Sequence, residues 1–349
     1  MARNSSIFNS DKIPYGIIWA LFFFLLFEIC FRLIWHPHIV GQRLYSRFNA
    51  TYSYGFDEKQ KLYYQKDDRI FFYPTQYLDF HQQSIPAEKE QNFHRIFTLG
   101  GSVSRGSEAD NYSYYLQENL NAENTNHHWS VVNLSADGIG SQRMLLLLKK
   151  ILPLKPDLVI FHVHGSNEYE DERDNAYRNE IHSGLDGLVL KSHFFVLVKK
   201  IYGYLSGPEI QPVSDADAEI TASQNPSNQQ RWLETIDRNL SKMLKLCAQS
   251  KVKVILAGRA ERLEGTYGYA SAWTKQINNI LKNNIGPETM YFDTADKFLK
   301  DYPKAQGKDR LFCDETHWTE YGHRIIAHEL QGHLHHYFME SILNEGSRQ

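Results

Sequence analysis

The chain has 349 residues, and its 38 Lys and Arg residues nearly balance 41 Asp and Glu residues, for a net charge of −3. The basic residues are scattered rather than clustered, which argues against a nucleic-acid partner. A hydrophobic content of 42% is ample for a core, and three cysteines are too few for a disulfide framework.

The amino-terminal region is apolar. Residues 13–35 are interrupted only by Glu28 and Arg32, which lie four positions apart and can face each other on a helix. A helix of this length can cross a bilayer core of about 30 Å. No small-x-small cleavage site follows, which argues against a cleaved signal peptide. We therefore predict a tail and single-pass signal anchor over residues 1–36, with the rest of the chain outside the cytoplasm; a buried core helix is the alternative.

The rest of the chain divides at about residue 92. Residues 37–92 are polar, rich in tyrosine and weakly periodic, which is typical of a linker or accessory segment with at most short strands. A single domain is predicted over residues 93–345. Its short apolar runs, each suited to a buried parallel strand, occupy residues 95–100, 129–135, 157–163, 251–258 and 290–295. Helical patterns separate these runs, so the sequence predicts an α/β fold whose parallel sheet is covered on both faces.

An insertion at about residues 172–228 interrupts the alternation. Residues 185–205 are apolar with a few lysines, and they could form a core-packing helix, a lid or an amphipathic helix on a membrane. Residues 207–228 have the composition of a mobile loop.

The letters TLGGSVSRG, residues 98–106, place a serine behind two glycines where the first of these strands ends. A phosphate-binding P-loop would need lysine in place of Ser107, and the G-x-S-x-G nucleophile elbow would need glycine in place of Ser104. The remaining interpretation is a nucleophile, Ser102, at a strand-to-helix turn with small neighbours and free N–H groups beside it. Such a serine needs a base, and the base needs a group that orients it.

Candidate partners lie further along the chain. In CDETHWTEYGH, the spacing lets Asp314 reach one ring nitrogen of His317 while the other nitrogen faces the serine. Two other strand ends supply candidate oxyanion donors, namely the backbone N–H of Gly138 and the side-chain amide of Asn167. Each feature alone is common in turns and helix caps. Their occurrence at successive strand ends indicates an acyl-transfer site.

These blocks resemble the SGNH/GDSL hydrolase family over roughly residues 95–335. The matching blocks are LGGS with Ser102, NLSADG with Gly138, GSNE with Asn167, and DETH with Asp314 and His317. The resemblance implies a flavodoxin-like three-layer α/β/α sandwich and a serine esterase that uses no metal or cofactor. It implies a catalytic triad of Ser102, Asp314 and His317, and an oxyanion hole formed by Ser102, Gly138 and Asn167.

The sequence departs from the family pattern at two positions, where Gly101 and Glu168 replace an aspartate found in many members. Neither change removes a catalytic atom. The expected substrate is an ester-bearing small molecule, or an envelope glycan or lipid from which the enzyme removes acyl or acetyl groups. An O-acyltransferase that uses the same Ser102 acyl-enzyme is the first alternative, and a non-catalytic glycan-binding or scaffold protein is the second.

Two stretches contain residue types that could bind a metal. Five histidines crowd the last helical pattern: His323, His328, His333, His335 and His336. The letters HELQGH are one residue too long for the zinc motif H-E-x-x-H, so a solvated polar face is the preferred interpretation. The acidic run EYEDERD, residues 168–174, has the charge density of a calcium or sugar loop, but solvated acids are again preferred.

Overall fold

The computed structural model of the protein describes residues 15–34, 61–75, 78–123, 126–172, 175, 192, 194, 224–263, 270–301 and 308–335. Most of the predicted insertion at 172–228 lies outside the described residues. The chain forms two compact units. One comprises residues 1–54 with 175–212, and the other comprises residues 55–174 with 213–349.

The first unit contains helix α1, Tyr15–Ile34. The Glu28 carboxylate on this helix is buried and accepts hydrogen bonds from the Ser192 hydroxyl at 2.7 Å and the Phe194 backbone N–H at 3.0 Å. The rings of Phe24 and Phe194 meet edge to face, with centroids 5.4 Å apart. Among the helices of the described segments, none combines the length and hydropathy that a membrane span requires.

The second unit begins with a small antiparallel sheet of three strands in the order β1-β2-β3: Tyr63–Lys66, Arg69–Phe72 and Gln83–Pro86. The polar composition of this stretch predicts a linker with at most short strands. In the structure its apolar side chains join the core of the unit, and the ring of Phe72 packs edge to face on Phe97 at 5.9 Å. The polar appearance of the stretch arises because only one face of so small a sheet is buried.

The main sheet has five parallel strands: β4 Phe93–Gly100, β5 His128–Asn133, β6 Leu158–His162, β7 Lys253–Ala257 and β8 Thr289–Phe292. Their spatial order is β5-β4-β6-β7-β8. Numbered along the chain, this is the 2-1-3-4-5 order of flavodoxin-like doubly wound sheets. In such sheets the strand order reverses between the first and third strands, here β4 and β6, and ligands bind at that point. The structure confirms the predicted α/β fold with a parallel sheet.

Helices cover both faces of the sheet. They are α2 Ser102–Arg105, α3 Tyr112–Ala122, α4 Ser141–Ile151, α5 Pro226–Gln249, α6 Ala272–Asn283, α7 Thr294–Asp301, α8 Lys308–Leu311 and α9 Glu320–Leu334. Residues from α4, α5 and α6 share one buried cluster with Val159 and Phe161 of β6, and residues from α3, α7 and α9 share the other with Leu158 and Ile160. The alternation along β6 sends neighbouring side chains to opposite faces, as in any strand.

Strand β5 is an edge of this sheet, and side-chain amides bond its outer backbone groups. Asn121 bonds both the N–H and the C=O of Trp129, each at 2.9 Å. Gln83 does the same for Asn133, each at 2.7 Å. Between them, the amide oxygen of Gln117 accepts the N–H of residue 131 at 2.9 Å. These amides take the place of a further strand along an edge that would otherwise be open to pairing.

Candidate active site

The structure joins Ser102, His317 and Asp314 by hydrogen bonds. Ser102 is the first residue of α2, directly after β4. His317 Nε2 lies 2.8 Å from Ser102 Oγ, and His317 Nδ1 lies 2.6 Å from Asp314 Oδ2. The imidazole therefore bridges a hydroxyl and a carboxylate, which is the arrangement that activates a serine nucleophile.

The backbone between Asp314 and His317 forms a tight turn closed by the aspartate itself. Asp314 Oδ1 accepts the N–H groups of Thr316 at 2.8 Å and His317 at 2.7 Å, which leaves Oδ2 for the imidazole. Partial burial acts to raise the pKa of the Asp314 carboxyl, but the hydrogen bonds from those two N–H groups and from the His317 ring lower it below its ordinary value of 3.8. The carboxylate therefore stays ionised beside the ring. The His317 side chain is 41% exposed, so solvent reaches the base.

The two glycines before Ser102 are required by close packing. A Cβ at Gly100 would overlap the hydroxyl of Ser104, and a Cβ at Gly101 would overlap the side-chain nitrogen of Asn167. Neither glycine has a positive φ, so the reason for both is space and not backbone conformation. The packing places the Asn167 amide directly beside the turn that carries Ser102.

Asn167 and Gly138 lie on loops that are hydrogen-bonded to each other. Asn167 ends the short 3₁₀ turn Gly165–Asn167 after β6, and its Nδ2 donates to the carbonyl of Ile139 at 2.9 Å. Gly138 follows β5 in the left-handed region at φ 66°, which glycine adopts at little cost. Ser102, Asn167 and Gly138 therefore follow β4, β6 and β5, the three adjacent strands at the reversal of strand order.

The acidic run after Asn167 is buried, so its interpretation as solvated acids is wrong for Glu168, Glu170 and Asp171. Glu168 Oε1 accepts the backbone N–H of Ser141 at 2.6 Å, and Oε2 lies 3.0 Å from the Ser141 hydroxyl. Burial raises the pKa of Glu168 to about 8, helped by the charge of Asp171 and opposed by the bonds from Ser141. Glu168 and Asp171 face the N-terminus of α4, where unpaired N–H groups favour carboxylates.

Asp171 also binds the N-terminus of α4, and it pairs with Arg143, which no sequence motif singles out. Its carboxylate accepts the N–H of Gln142 at 2.7 Å and lies 2.6 Å from Nε of Arg143. The side chains of this ion pair are 1% and 2% exposed. Arg143 Nη2 in turn donates to the carbonyl of Gly138 at 2.5 Å. An acid and an arginine three or four positions apart on one helix can be predicted to pair from their spacing. Asp171 and Arg143 lie in distant segments, so their spacing does not indicate the pair.

Asp137, the residue before Gly138, carries a further carboxylate near this loop. The N–H of Asp137 donates to Asp79 Oδ1 at 2.9 Å, and Arg105 Nε lies 3.2 Å from Asp79 Oδ2. Burial and the nearby Asp79 raise the pKa of the Asp137 carboxyl, against the opposing charges of Arg105 and His317. Asp137 and His317 are therefore close enough to interact electrostatically.

Two histidines sit in the protein interior behind the candidate triad. His162 Nδ1 lies 2.6 Å from the Ser104 hydroxyl, and His323 stacks on Tyr112 with ring centroids 6.2 Å apart. Burial lowers the pKa of His162 to about 3 and that of His323 to about 4. Both rings contact Trp318, the residue after the candidate base. His323 is 2% exposed, so the prediction of a solvated polar face is wrong for this histidine.

Within the described ranges, no group of three or more His, Cys, Asp or Glu side chains could hold a metal ion. His328 is exposed, and His335 instead pairs with Glu123 at 2.6 Å. His336 lies outside the described residues.

Comparisons with known proteins were made by sequence and by structure. No protein-family profile and no curated protein sequence matches the chain. Similar solved structures include an acetyl xylan esterase (14% identity, TM-score 0.41), covering 69% of this chain and 99% of its own. A lipase from a goat rumen metagenome has 13% identity and a TM-score of 0.43, covering 68% and 96%. A lipase/acylhydrolase from Enterococcus faecalis has 17% identity and a TM-score of 0.40, covering 69% and 96%. Identities and TM-scores of this size do not establish that the chain shares the activity of these proteins.

Proposed function

We propose that the protein is a serine-dependent carboxylic ester hydrolase of the SGNH/GDSL type. The observation that carries this proposal is the continuous hydrogen-bonded series from Ser102 Oγ through both ring nitrogens of His317 to Asp314. Its position at the carboxyl ends of parallel strands, where the strand order reverses, supports the same conclusion.

In the proposed reaction, Ser102 Oγ attacks the ester carbonyl while His317 Nε2 takes the hydroxyl proton. Asp314 holds the Nδ1–H tautomer of the ring and stabilises the imidazolium that forms. The proton then passes to the leaving alkoxide, the alcohol departs, and an acyl-enzyme remains on Ser102. Water activated by His317 attacks the acyl carbonyl, the acid is released, and the proton returns to Ser102.

The oxyanion of each tetrahedral intermediate would be held by the N–H groups of Ser102 and Gly138 and by the Asn167 amide. The Ser102 N–H belongs to the first turn of α2, where N–H groups have no partner within the helix. The position of Asn167 against Gly101 supports its share in this role. Loss of one such donor in a serine hydrolase typically costs about 3 to 4 kcal/mol in the barrier.

The decisive test is labelling of the full-length chain with a fluorophosphonate, with the adduct located by mass spectrometry. We expect one adduct, on Ser102, that is lost in His317→Ala. Ser107→Ala, which changes an exposed serine five positions away, is the matched control and should label like the parent. A folded chain that forms no adduct would overturn the proposal and favour the non-catalytic alternative.

We further propose that the substrate is an acylated or acetylated envelope glycan or lipid. Solvent access to His317 favours water over a sugar hydroxyl as the acceptor of the acyl group. A panel of acetylated sugars and longer acyl esters would identify the acyl group. Added sugar acceptors would reveal transfer if new esters formed faster than free acid.

The amino-terminal sequence leads us to propose that residues 13–35 attach the chain to a membrane, with the catalytic unit outside the cytoplasm. Support comes from the apolar composition and from large exposed side chains on α1, such as Trp19, Leu21 and Leu25. The full-length chain should float with membranes and be degraded by protease added to spheroplasts. Leu21→Lys with Leu25→Lys should release it, and a parent chain in the soluble fraction would refute the attachment.

A further inference from the structure

The loop that carries Gly138 is held by charged side chains that do not belong to the candidate triad. Arg143 binds the Gly138 carbonyl at 2.5 Å, and Asp171 binds Arg143 Nε at 2.6 Å. Asp171 also accepts the N–H of Gly140 at 3.2 Å. On the other side of Gly138, Asp79 accepts the N–H of Asp137 at 2.9 Å. Asp137, immediately before Gly138, and Gly140, two residues after it, are thus both anchored.

The glycine itself does not determine the direction of its N–H. Without a Cβ, Gly138 adopts positive and negative φ almost equally well, and each choice points the N–H differently. The structure has φ at 66°, with the carbonyl directed at Arg143. The hydrogen bond from Arg143 therefore selects one of the conformations that a glycine permits.

Stability alone is a poor explanation for the ion pair that makes this bond. Arg143 and Asp171 are almost completely buried, and a buried ion pair is often no more stabilising than apolar side chains of similar volume. The guanidinium is suited to geometry instead, because its planar group can hold a carboxylate and a carbonyl in fixed directions at once.

We infer that Arg143, held by Asp171, is a positioning residue that orients the Gly138 N–H toward the oxyanion. This inference rests on the proposed function. A misplaced donor weakens only the transition state, and a shift of about 1 Å in a catalytic group can reduce the rate about 100-fold. We expect Arg143→Met to lower kcat by about 10- to 100-fold, with a much smaller change in KM.

The test compares hydrolysis of an aryl ester with that of the matching thionoester, at concentrations of active enzyme fixed by fluorophosphonate titration. Sulfur accepts hydrogen bonds weakly, so the oxyanion donors favour the ester over the thionoester. Arg143→Met should reduce the ester-to-thionoester rate ratio about 10-fold or more, whereas a general loss of folded protein would leave the ratio unchanged. Arg143→Lys keeps one donor and should restore part of the ratio.

A matched control is available in Arg95, a buried arginine near the start of β4 that donates to the carbonyls of Leu154, Pro86 and Ala87. Arg95→Met should lower stability and leave the ratio unchanged.

If Arg143→Met does not fold, Asp171→Asn provides the same test, because an amide cannot accept all the N–H groups that the carboxylate binds. Unchanged ratios in a folded Arg143 or Asp171 variant of an active parent would overturn this inference alone. A parent without Ser102-dependent hydrolysis would overturn the proposed function with it.

Discussion

A side chain at Gly101 would overlap the amide nitrogen of Asn167, so the glycine before Ser102 and the proposed oxyanion donor fit together as one packed contact. A larger side chain at this position could not be accommodated without moving Asn167. The Gly-Gly-Ser sequence is therefore adapted to the position of this asparagine.

Gly101→Ala should move the Asn167 amide away from the turn and reduce kcat by about 100-fold, close to the loss of one oxyanion donor. Steady-state kinetics on an aryl ester measures this change. Gly332→Ala is the control, because a Cβ there meets no atom within 4 Å and the site is in α9, where alanine favours the helix by about 1 kcal/mol. Equal activity of Gly101→Ala and the parent would show that Asn167 does not contribute.

Asp314→Asn should reduce kcat by about 1,000-fold or more, because an amide no longer enforces the tautomer in which His317 Nε2 accepts the serine proton. The variant should fold, since the Asn oxygen can still accept the N–H groups of Thr316 and His317. Glu315→Gln, the same type of change one residue later, should retain activity. An Asp314→Asn enzyme with near-parent kcat would mean that another group orients the base.

Glu168→Gln should remove a loss of stability that the parent shows as the pH rises from about 4.5 to 8. The folded chain holds the Glu168 proton to a pKa of about 8, whereas the ordinary glutamate pKa is 4.5. Between these values the unfolded chain releases a proton that the folded chain keeps, so stability decreases as the pH rises from about 4.5 to 8. Urea unfolding across this range should show a flatter profile for Glu168→Gln than for the parent. Glu118→Gln, on the exposed side of α3, should follow the parent, and parallel profiles for all three proteins would contradict the prediction.

Gln83→Ala should destabilise the protein by about 1 to 3 kcal/mol, since it leaves the backbone N–H and C=O of Asn133 without their partners. Gln82→Ala, next to it and exposed, should change the free energy of unfolding little.

Replacing Gln83, Gln117 and Asn121 together should open the β5 edge and produce concentration-dependent association in size-exclusion chromatography. A triple variant that stays monomeric would show that the amides do not protect this edge.

The strands were predictable because each is a short apolar run bounded by turn residues. The run at 95–100 corresponds to β4, Phe93–Gly100, and the run at 290–295 overlaps β8, Thr289–Phe292. The candidate triad could also be predicted, because Asp314 and His317 are three positions apart and the other motifs lie at successive strand ends. In contrast, residues 61–86 carry only very short apolar runs, such as 70–73, between polar and charged residues. Their role in the core therefore follows from packing that the local pattern does not contain.

The contacts around Gly138 could not be predicted in the same way. Asp171 and Arg143 are separated by 28 positions, and Asp171 lies within a run of charged residues. A run such as EYEDERD has the same letters whether it faces water or the start of a buried helix. Only the βα topology, which brings the end of β6 next to the start of α4, decides between the two.

The bond between Ser102 and His317 joins positions 215 residues apart in the chain. Contacts of such high sequence separation carry a large loop-closure entropy and form slowly during folding. A nascent chain that ends before residue 317 has no His317 to accept the proton of Ser102, so its serine is not activated by this base. Reactivity of Ser102 with a fluorophosphonate would therefore report when these two distant segments come together during folding.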